Sequence, residues 1–197
     1  MSALFTRLSE LHAAGLARGE IDAHVDGRVA RITEFRPAAV LVAVTERERP
    51  GLLLIHRPSN MRAHPGQIAF PGGKVDPGEN PVEAALREAN EELGIAAGDV
   101  RIIGESDIYR TGSGFEITPV IGVIPPDIHL EPNPAEVAQW FEIPFDFVLD
   151  PANHSQFMHE KDGETFPLWQ IHWREHHIWG VTAGVLVNMS RRLFWHG

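Results

Sequence analysis

The chain predicts an α/β protein in which a layered sheet lies between helices. Three observations predict it. Apolar runs such as Ala38-Ala39-Val40-Leu41-Val42-Ala43-Val44 have the composition of strands buried on both faces. Amphipathic segments at helical spacing occur near both ends and in the middle of the chain. Strand and helix signals are interspersed rather than segregated into halves, as a sheet covered by helices requires.

In chain order, Ser2 to about Ala17 forms the first helical pattern, with Leu4, Phe5, Leu8 and Leu11 on one stripe. A polar connection containing Asp22, Asp26 and Gly27 leads into the buried strand at 38–44. Pro50-Gly51 marks a turn before the strand Leu52 to His56. Beyond the central helix, Val100 to Asp107 and Glu116 to Ile124 read as strands, joined by Tyr109-Arg110-Thr111-Gly112-Ser113-Gly114-Phe115. That connection reads as a hairpin loop, and it lacks the Lys of a P-loop. Further strands are expected at Trp140 to Ile143, Ser155 to His159 and Phe166 to Trp173. From Trp179 onward, Val181, Val185, Leu186, Met189 and Leu193 make a final amphipathic helix. No internal repeat, low-complexity tract or linker divides the chain, so residues 1–197 are expected to form a single domain.

The central helix carries the chemistry. Asn80 is placed as its N-cap, Pro81 at its first turn, Glu83 as a capping-box partner and Gly94 as a terminator. At 100° per residue, Val82, Ala85, Leu86, Ala89 and Leu93 share about 100° of arc and form an apolar stripe. Glu88, Glu91 and Glu92 share a second face, with Glu88 and Glu92 one turn apart. Carboxylates at that spacing repel, and a hard divalent cation between them relieves the repulsion. A solvated acidic face is the alternative, and the glycine loop and Glu79 that precede the helix weigh against it.

Gly73, Glu79 and the run Arg87-Glu88-Ala89-Asn90-Glu91-Glu92-Leu93-Gly94-Ile95 resemble the Nudix box at its defining spacing over residues 73–95. The resemblance implies a Nudix α/β/α sandwich with a mixed sheet. It also implies hydrolysis of a diphosphate linked to another moiety, by water activated on Mg²⁺ or Mn²⁺. By position, Glu88, Glu91 and Glu92 would be metal ligands, Arg87 and Glu79 would orient them, and Gly73 would let loop and helix pack. Glu136 resembles a downstream acidic position that completes the metal site or acts as base in some family members. Glu91, Glu88, Arg87 and Glu79 are thus the candidate catalytic set.

The stretch before the box, Leu52 to Lys74, resembles the signature of coenzyme A pyrophosphatases. Leu53-Leu54, Arg57, Arg62, Gly66 and Phe70-Pro71-Gly72-Gly73 match it, while Ile55 replaces the usual Thr and Pro58 the usual Ser or Ala. Arg57 and Arg62 can fork around phosphate oxygens. His64 and Gln67 are candidate donors beside the nucleotide, whereas Phe70 is expected in the core. Arg57 has a simpler alternative, an ion pair with the glutamates. The reaction implied is coenzyme A, free, acylated or oxidised, to 3′,5′-ADP and 4′-phosphopantetheine. Two other readings stay open: a Nudix pyrophosphatase for ADP-ribose or another nucleoside diphosphate derivative, and a Nudix-fold binding module without catalysis.

Composition bounds the rest. A formal charge of −10 argues against non-specific nucleic-acid binding, which needs basic surface. The chain has no cysteine, which excludes disulfides and thiolate catalysis. No apolar run is long enough to span a bilayer, the first residues lack a secretory pattern, and Phe194-Trp195-His196-Gly197 is no peroxisomal address. Cytoplasm is the expected location, with a small nucleotide as partner and a homodimer as an admissible assembly. His154, His159, His172, His176 and His177 crowd the last third without metal-ligand spacing and are expected to be packing or surface groups. Trp169, Trp173 and Trp179 are expected in packing, with a pantetheine-lining role as the alternative.

Overall fold

Strands with apolar side chains at every position must be covered on both faces, and the computed structural model shows how this chain does so. It describes residues 2–19, 27–59, 66–161 and 163–195. In chain order the elements are α1 (Ala3–Ala17), β1 (Arg36–Thr45), β2 (Gly51–His56), β3 (Ile68–Ala69), β4 (Gly72–Lys74), α2 (Pro81–Leu93), β5 (Arg101–Glu105) and β6 (Tyr109–Arg110). There follow β7 (Phe115–Ile124), β8 (Gln139–Pro144), α3 (Phe145–Leu149), β9 (Ser155–Lys161), β10 (Glu164–Trp173), β11 (His176–Trp179) and α4 (Val181–Leu193). Short 3₁₀ turns occupy Gly27–Arg31, Ala97–Asp99 and Pro151–Asn153.

The main sheet is mixed and runs β3-β2-β1-β7-β5, with β4 added to β1, β6 to β7 and β8 to β2. β1 and β7 pair in parallel over their full length, from Arg36 opposite Phe115 to Thr45 opposite Ile124, and the remaining pairings are antiparallel. Alternation along β1 and β2 divides the core in two. Ala39, Leu41, Ala43, Leu53 and Ile55 face α2, meeting Ala84, Ala85, Ala89 and Leu93. Val42, Val44, Leu52 and Leu54 point the other way, toward Leu8 of α1, Phe145 and Val148 of α3, and Leu186 and Met189 of α4. The result is the α/β/α sandwich expected from the resemblance. Burying Leu41, Leu52, Leu53, Leu54 and Ile55 completely contributes about 1.5–3 kcal/mol per side chain.

One buried cation ties the second helical layer together. Arg192 of α4 donates Nε to Asp107 Oδ2 at 2.7 Å and Nη1 to the carbonyls of Gly15 and Gly19 at 2.6 and 2.8 Å. Those carbonyls belong to the C-terminal end of α1, which lacks other basic partners in its last turn.

β9, β10 and β11 form a separate antiparallel sheet. β11 is absent from the sequence expectation, which reads its histidines as packing or surface groups without a strand. Instead His172 pairs with His177 and Trp173 with His176 across a tight turn at Arg174-Glu175. His176 is buried and stacks flat on Phe141, their ring centres 3.7 Å apart. The final helix also begins later than Trp179, because Trp179 ends β11 and Gly180 turns the chain with φ of 67°. Tyr109–Phe115 is the expected hairpin, β6 and β7 pairing Tyr109 with Ile117 and Arg110 with Glu116. Among the described residues, no helix is long and apolar enough to cross a membrane.

Candidate active site

The loop from Gly72 to Asn80 delivers α2 to the sheet in one orientation. Asn80 Oδ1 accepts from the Glu83 backbone N–H at 3.0 Å, and Glu83 Oε2 accepts from the Asn80 N–H at 2.9 Å. The capping box is therefore complete, with Pro81 in the first turn. Gly94 closes the helix with φ of 72°, a left-handed conformation open to glycine. This fixes the rotation of α2, so Ala85, Ala89 and Leu93 face the sheet and the glutamates face the β4 end of it.

The helix glutamates divide into two environments. Glu88 and Glu92 converge with Glu136, each offering a carboxylate oxygen, all within 4.8 Å of one another. Glu92 is buried, and Oε2 accepts the Gly72 N–H at 2.9 Å. Burial is the chief cause that pushes its carboxyl up to about 8; the Gly72 hydrogen bond and Arg57 oppose the shift, while Glu88 and Glu136 add to it. Glu88 is raised too, again mainly by burial, against the pull of Arg87. Three mutually repelling carboxylates with hard oxygen donors fit a divalent cation such as Mg²⁺ or Mn²⁺. Gly73 makes the arrangement possible: a Cβ there would lie 2.2 Å from Glu88 Oε1.

The second environment is a brace built on Arg87. Nε and Nη2 donate to the two oxygens of Glu79 at 2.8 and 3.1 Å, a bidentate fork. Nη2 also reaches the Lys74 carbonyl at 3.0 Å, while Nη1 donates to Glu88 at 3.0 Å and Glu91 at 3.3 Å. One guanidinium thus joins loop to helix and draws one Glu88 oxygen aside. Glu79, which also accepts from the Asp76 N–H at 3.0 Å, is held below the usual carboxylate range chiefly by Arg87. Glu91 is half-exposed, belongs to this brace and stands outside the cluster of three.

Glu136 reaches the cluster from 44 residues beyond Glu92 through a turn that docks on the end of α2. The Glu131 and Asn133 N–H groups donate to the Leu93 and Glu92 carbonyls at 2.8 and 2.9 Å, and Asn133 Nδ2 donates to Glu136 Oε1 at 3.1 Å. Asn133 was not expected in the site, and nothing local in the sequence signals it. Arg57 follows β2 and has Nη1 3.8 Å from Glu92 Oε1, so it does lie beside the glutamates. Its Nε is buried and has no hydrogen-bond partner among the described residues. Gln67 accepts the Arg57 N–H on its backbone carbonyl at 3.0 Å. Arg62 and His64 lie outside the described residues.

These groups line a cleft of about 340 Å³. Its acidic wall is Glu88, Glu92 and Glu136, its far wall Thr111, Ser113 and Phe115 from the β6–β7 hairpin. Thr182 and Val185 of α4 complete it, with Thr182 Oγ1 donating to the Ile68 carbonyl at 2.9 Å. Phe70, expected in the core, is buried there and also touches the cleft. A larger depression of about 630 Å³ beside Arg49, Glu142, Asp146 and Arg174 gathers no comparable cluster of metal-ligating groups among the described residues. Trp169 and Trp173 pack against the core on the α4 side of the sheet. His154 Nε2 contacts the Val148 carbonyl at 2.8 Å, and His172 and His177 stack on each other with ring centres 4.3 Å apart.

Residues 35–169 match the NUDIX domain. The chain is 42% identical over 160 residues to a protein called Uncharacterized Nudix hydrolase NudL from Enterobacter sp. (strain 638), covering 80% of this chain and 83% of that one. It is 36% identical over 159 residues to the protein of the same name from Escherichia coli (strain K12 / DH10B), again 80% and 83% of the two chains. Among solved structures, the Nudix hydrolase RenU from M. smegmatis is 26% identical, with a TM-score of 0.49 over 56% of this chain and 71% of that one.

Proposed function

The chain belongs to the Nudix hydrolase family, and on that premise we propose that it hydrolyses the diphosphate bond of coenzyme A to 3′,5′-ADP and 4′-phosphopantetheine. The observation that carries the hydrolytic part is the convergence of Glu88, Glu92 and Glu136 on one point of a cleft. The choice of coenzyme A rests on the upstream signature, from Leu53-Leu54 and Arg57 through Arg62 and Gly66 to Phe70-Pro71-Gly72-Gly73.

In this reading Glu88, Glu92 and Glu136 hold Mg²⁺ or Mn²⁺, with Glu91 beside them on the helix and engaged by Arg87. Bound there, a divalent cation neutralises diphosphate charge and lowers the pKa of a water ligand. The protein's own groups do the rest. Arg87 and Glu79 keep the glutamates in place, as outer partners of metal ligands do. A glutamate in or near that cluster takes the proton of the attacking water. Arg57, whose Nε has no hydrogen-bond partner among the described residues, lines the cleft beside Glu92 and steadies a phosphate oxygen of substrate or leaving group. Arg62, His64 and Gln67 are assigned to the nucleotide from the sequence alone, as donors in the stretch before the box.

A substrate panel tests the choice. Purified protein with Mn²⁺ should release 3′,5′-ADP and 4′-phosphopantetheine from coenzyme A faster than it cleaves ADP-ribose or a dinucleotide. Cleavage of ADP-ribose with coenzyme A left intact would sink the assignment and keep the family chemistry.

A further inference from the structure

The three-stranded sheet carries a pair of imidazoles that the hydrolytic cleft does not use. Trp173 pairs with His176 across the two-residue turn Arg174-Glu175, and that register sets His172 of β10 directly opposite His177 of β11. Residues five apart on a single strand point to opposite faces; the hairpin brings these two to the same face. Side chains directly opposite on an antiparallel pair have Cβ atoms about 4.5–5.5 Å apart. The two rings accordingly lie nearly parallel, with 6° between their planes and 4.3 Å between their centres. Both residues are exposed.

Gln170, two positions before His172 and so on the same face of β10, adds a third donor. Its Oε1 lies 3.3 Å from His172 Nε2 and 2.9 Å from His177 Nε2, so both ring nitrogens address one point. Phe157 and Trp179 flank His177, their ring centres 5.9 and 6.4 Å from it, and wall that point on one side. Among the described residues, no carboxylate joins the pair in a cluster of metal-ligating groups. The donor set is therefore two imidazole nitrogens and an amide oxygen, with water left to complete a coordination sphere. An imidazole–metal bond is about 2.0–2.1 Å long, about 1 Å shorter than the contacts to Gln170. Exposed rings on a fixed hairpin can tilt to close that distance.

We propose that His172 and His177, with Gln170 Oε1, form a divalent-metal site separate from the glutamate cluster, for an ion of the Zn²⁺, Ni²⁺ or Cu²⁺ class. Imidazole nitrogen suits these ions, whereas the all-oxygen set of Glu88, Glu92 and Glu136 suits Mg²⁺ or Mn²⁺. The two sites thus differ in the hardness of their donors. An ion held by His172 and His177 staples β10 to β11. β11 leads through Gly180 directly into Val181 and Thr182 of α4, which line the cleft. The site depends on the β10–β11 register alone and not on the choice of nucleotide substrate.

Ni²⁺ titrated calorimetrically into untagged, metal-free protein tests the assignment. One Ni²⁺ per chain should bind in both the wild type and Glu92→Gln, a variant that leaves the imidazoles in place. His172→Gln and His177→Gln should each weaken that binding at least about tenfold, and the double variant should abolish it, with circular dichroism matching the wild type. His159→Gln, on the same sheet face, should leave it unchanged. In the wild type Ni²⁺ should also raise the melting temperature, because the paired strands exist only in the folded chain, and the double variant should lose that rise. Electron paramagnetic resonance of Glu92→Gln with one equivalent of Cu²⁺ gives a reading that needs no histidine variant. It should show two coordinating imidazole nitrogens. A spectrum with oxygen donors only would overturn the proposal. So would Ni²⁺ binding that survives the double histidine variant, binding that disappears in Glu92→Gln, or an equal loss in His159→Gln, which would mark an unspecific histidine-rich surface.

Discussion

Two sets of carboxylates meet around one helix and behave oppositely. On the cleft side, Glu88 and Glu92 meet Glu136, and burial raises the proton affinity of the first two. On the loop side, Glu79 and Glu91 meet Arg87, and Glu79 is held ionised by a bidentate fork. Residue type is the same; the partner differs. Among the described residues the first set has Arg57 3.8 Å from Glu92 and Arg87 3.0 Å from one oxygen of Glu88, two cations for three carboxylates, and is suited to a further cation. The second carries its own cation in Arg87 and is suited to holding shape. A glutamate-rich helix face is thus two devices, and Glu88, touched by Arg87 yet pointing into the cluster, couples them.

The largest effect should come from breaking the cleft side. Glu92→Gln keeps an oxygen for the Gly72 N–H and removes the charge, so the fold should persist while kcat/KM with Mn²⁺ falls about 1,000-fold, about 4 kcal/mol of transition-state stabilisation. Wild-type kinetics for this variant would remove Glu92 from the site. Breaking the brace should cost less. Glu79→Gln loses the charged half of the Arg87 fork and should reduce activity about 10–100-fold, partly restored by raising Mn²⁺. A loss as deep as that of Glu92→Gln and unresponsive to metal would erase the distinction between the two sets.

Gly73→Ala probes the seam between them, since the added methyl must displace the Glu88 carboxylate, 2.2 Å from the ideal Cβ. About tenfold lower activity with a near-normal melting curve is expected, because the displaced group is the end of a side chain rather than backbone. A melting temperature lowered with activity intact would place the clash elsewhere.

The smallest effect concerns pH. Glu92 has a folded pKa of about 8 against an ordinary value of 4.5, so the unfolded chain releases its proton first as pH rises. Its contribution to stability is fully present below about pH 4.5 and is lost progressively up to about pH 8 in metal-free protein. A loss of about 2 kcal/mol would lower Tm by roughly 5 °C between pH 5.5 and pH 8 in a chelator, and Glu92→Gln should flatten that slope. Calorimetric scans of both proteins at the two pH values would show it; parallel slopes would assign the pH dependence to other groups.

Much of this was legible in the sequence because it is encoded locally. The capping box at Asn80 and Glu83, the glycine terminator and the spacing of Glu88 and Glu92 need only a few neighbouring residues, and β1 and β2 are apolar enough to read alone. The short strands β3, β4 and β6 are two or three residues long and exist only through their partners. β11 was missed because His176-His177 is a polar pair, whose strand state follows from pairing with β10 and stacking on Phe141. In the cleft, Asn133, Thr111 and Thr182 arrive from distant turns and from α4. Thr182 bonds Ile68 across 114 residues, a proximity no local pattern carries. Resemblance placed Glu136 as a candidate; only the docked turn at 131–137 explains how it reaches Glu88 and Glu92.

The division of the glutamates has one direct test. Mn²⁺ should be titrated calorimetrically into metal-free protein at pH 6.5, in two buffers of different ionisation enthalpy. Binding at Glu88, Glu92 and Glu136 must displace the proton that burial keeps on Glu92, so the account predicts release of close to one proton per Mn²⁺ and its loss in Glu92→Gln. Mn²⁺ binding with no proton released, and with unchanged affinity in Glu92→Gln, would contradict it.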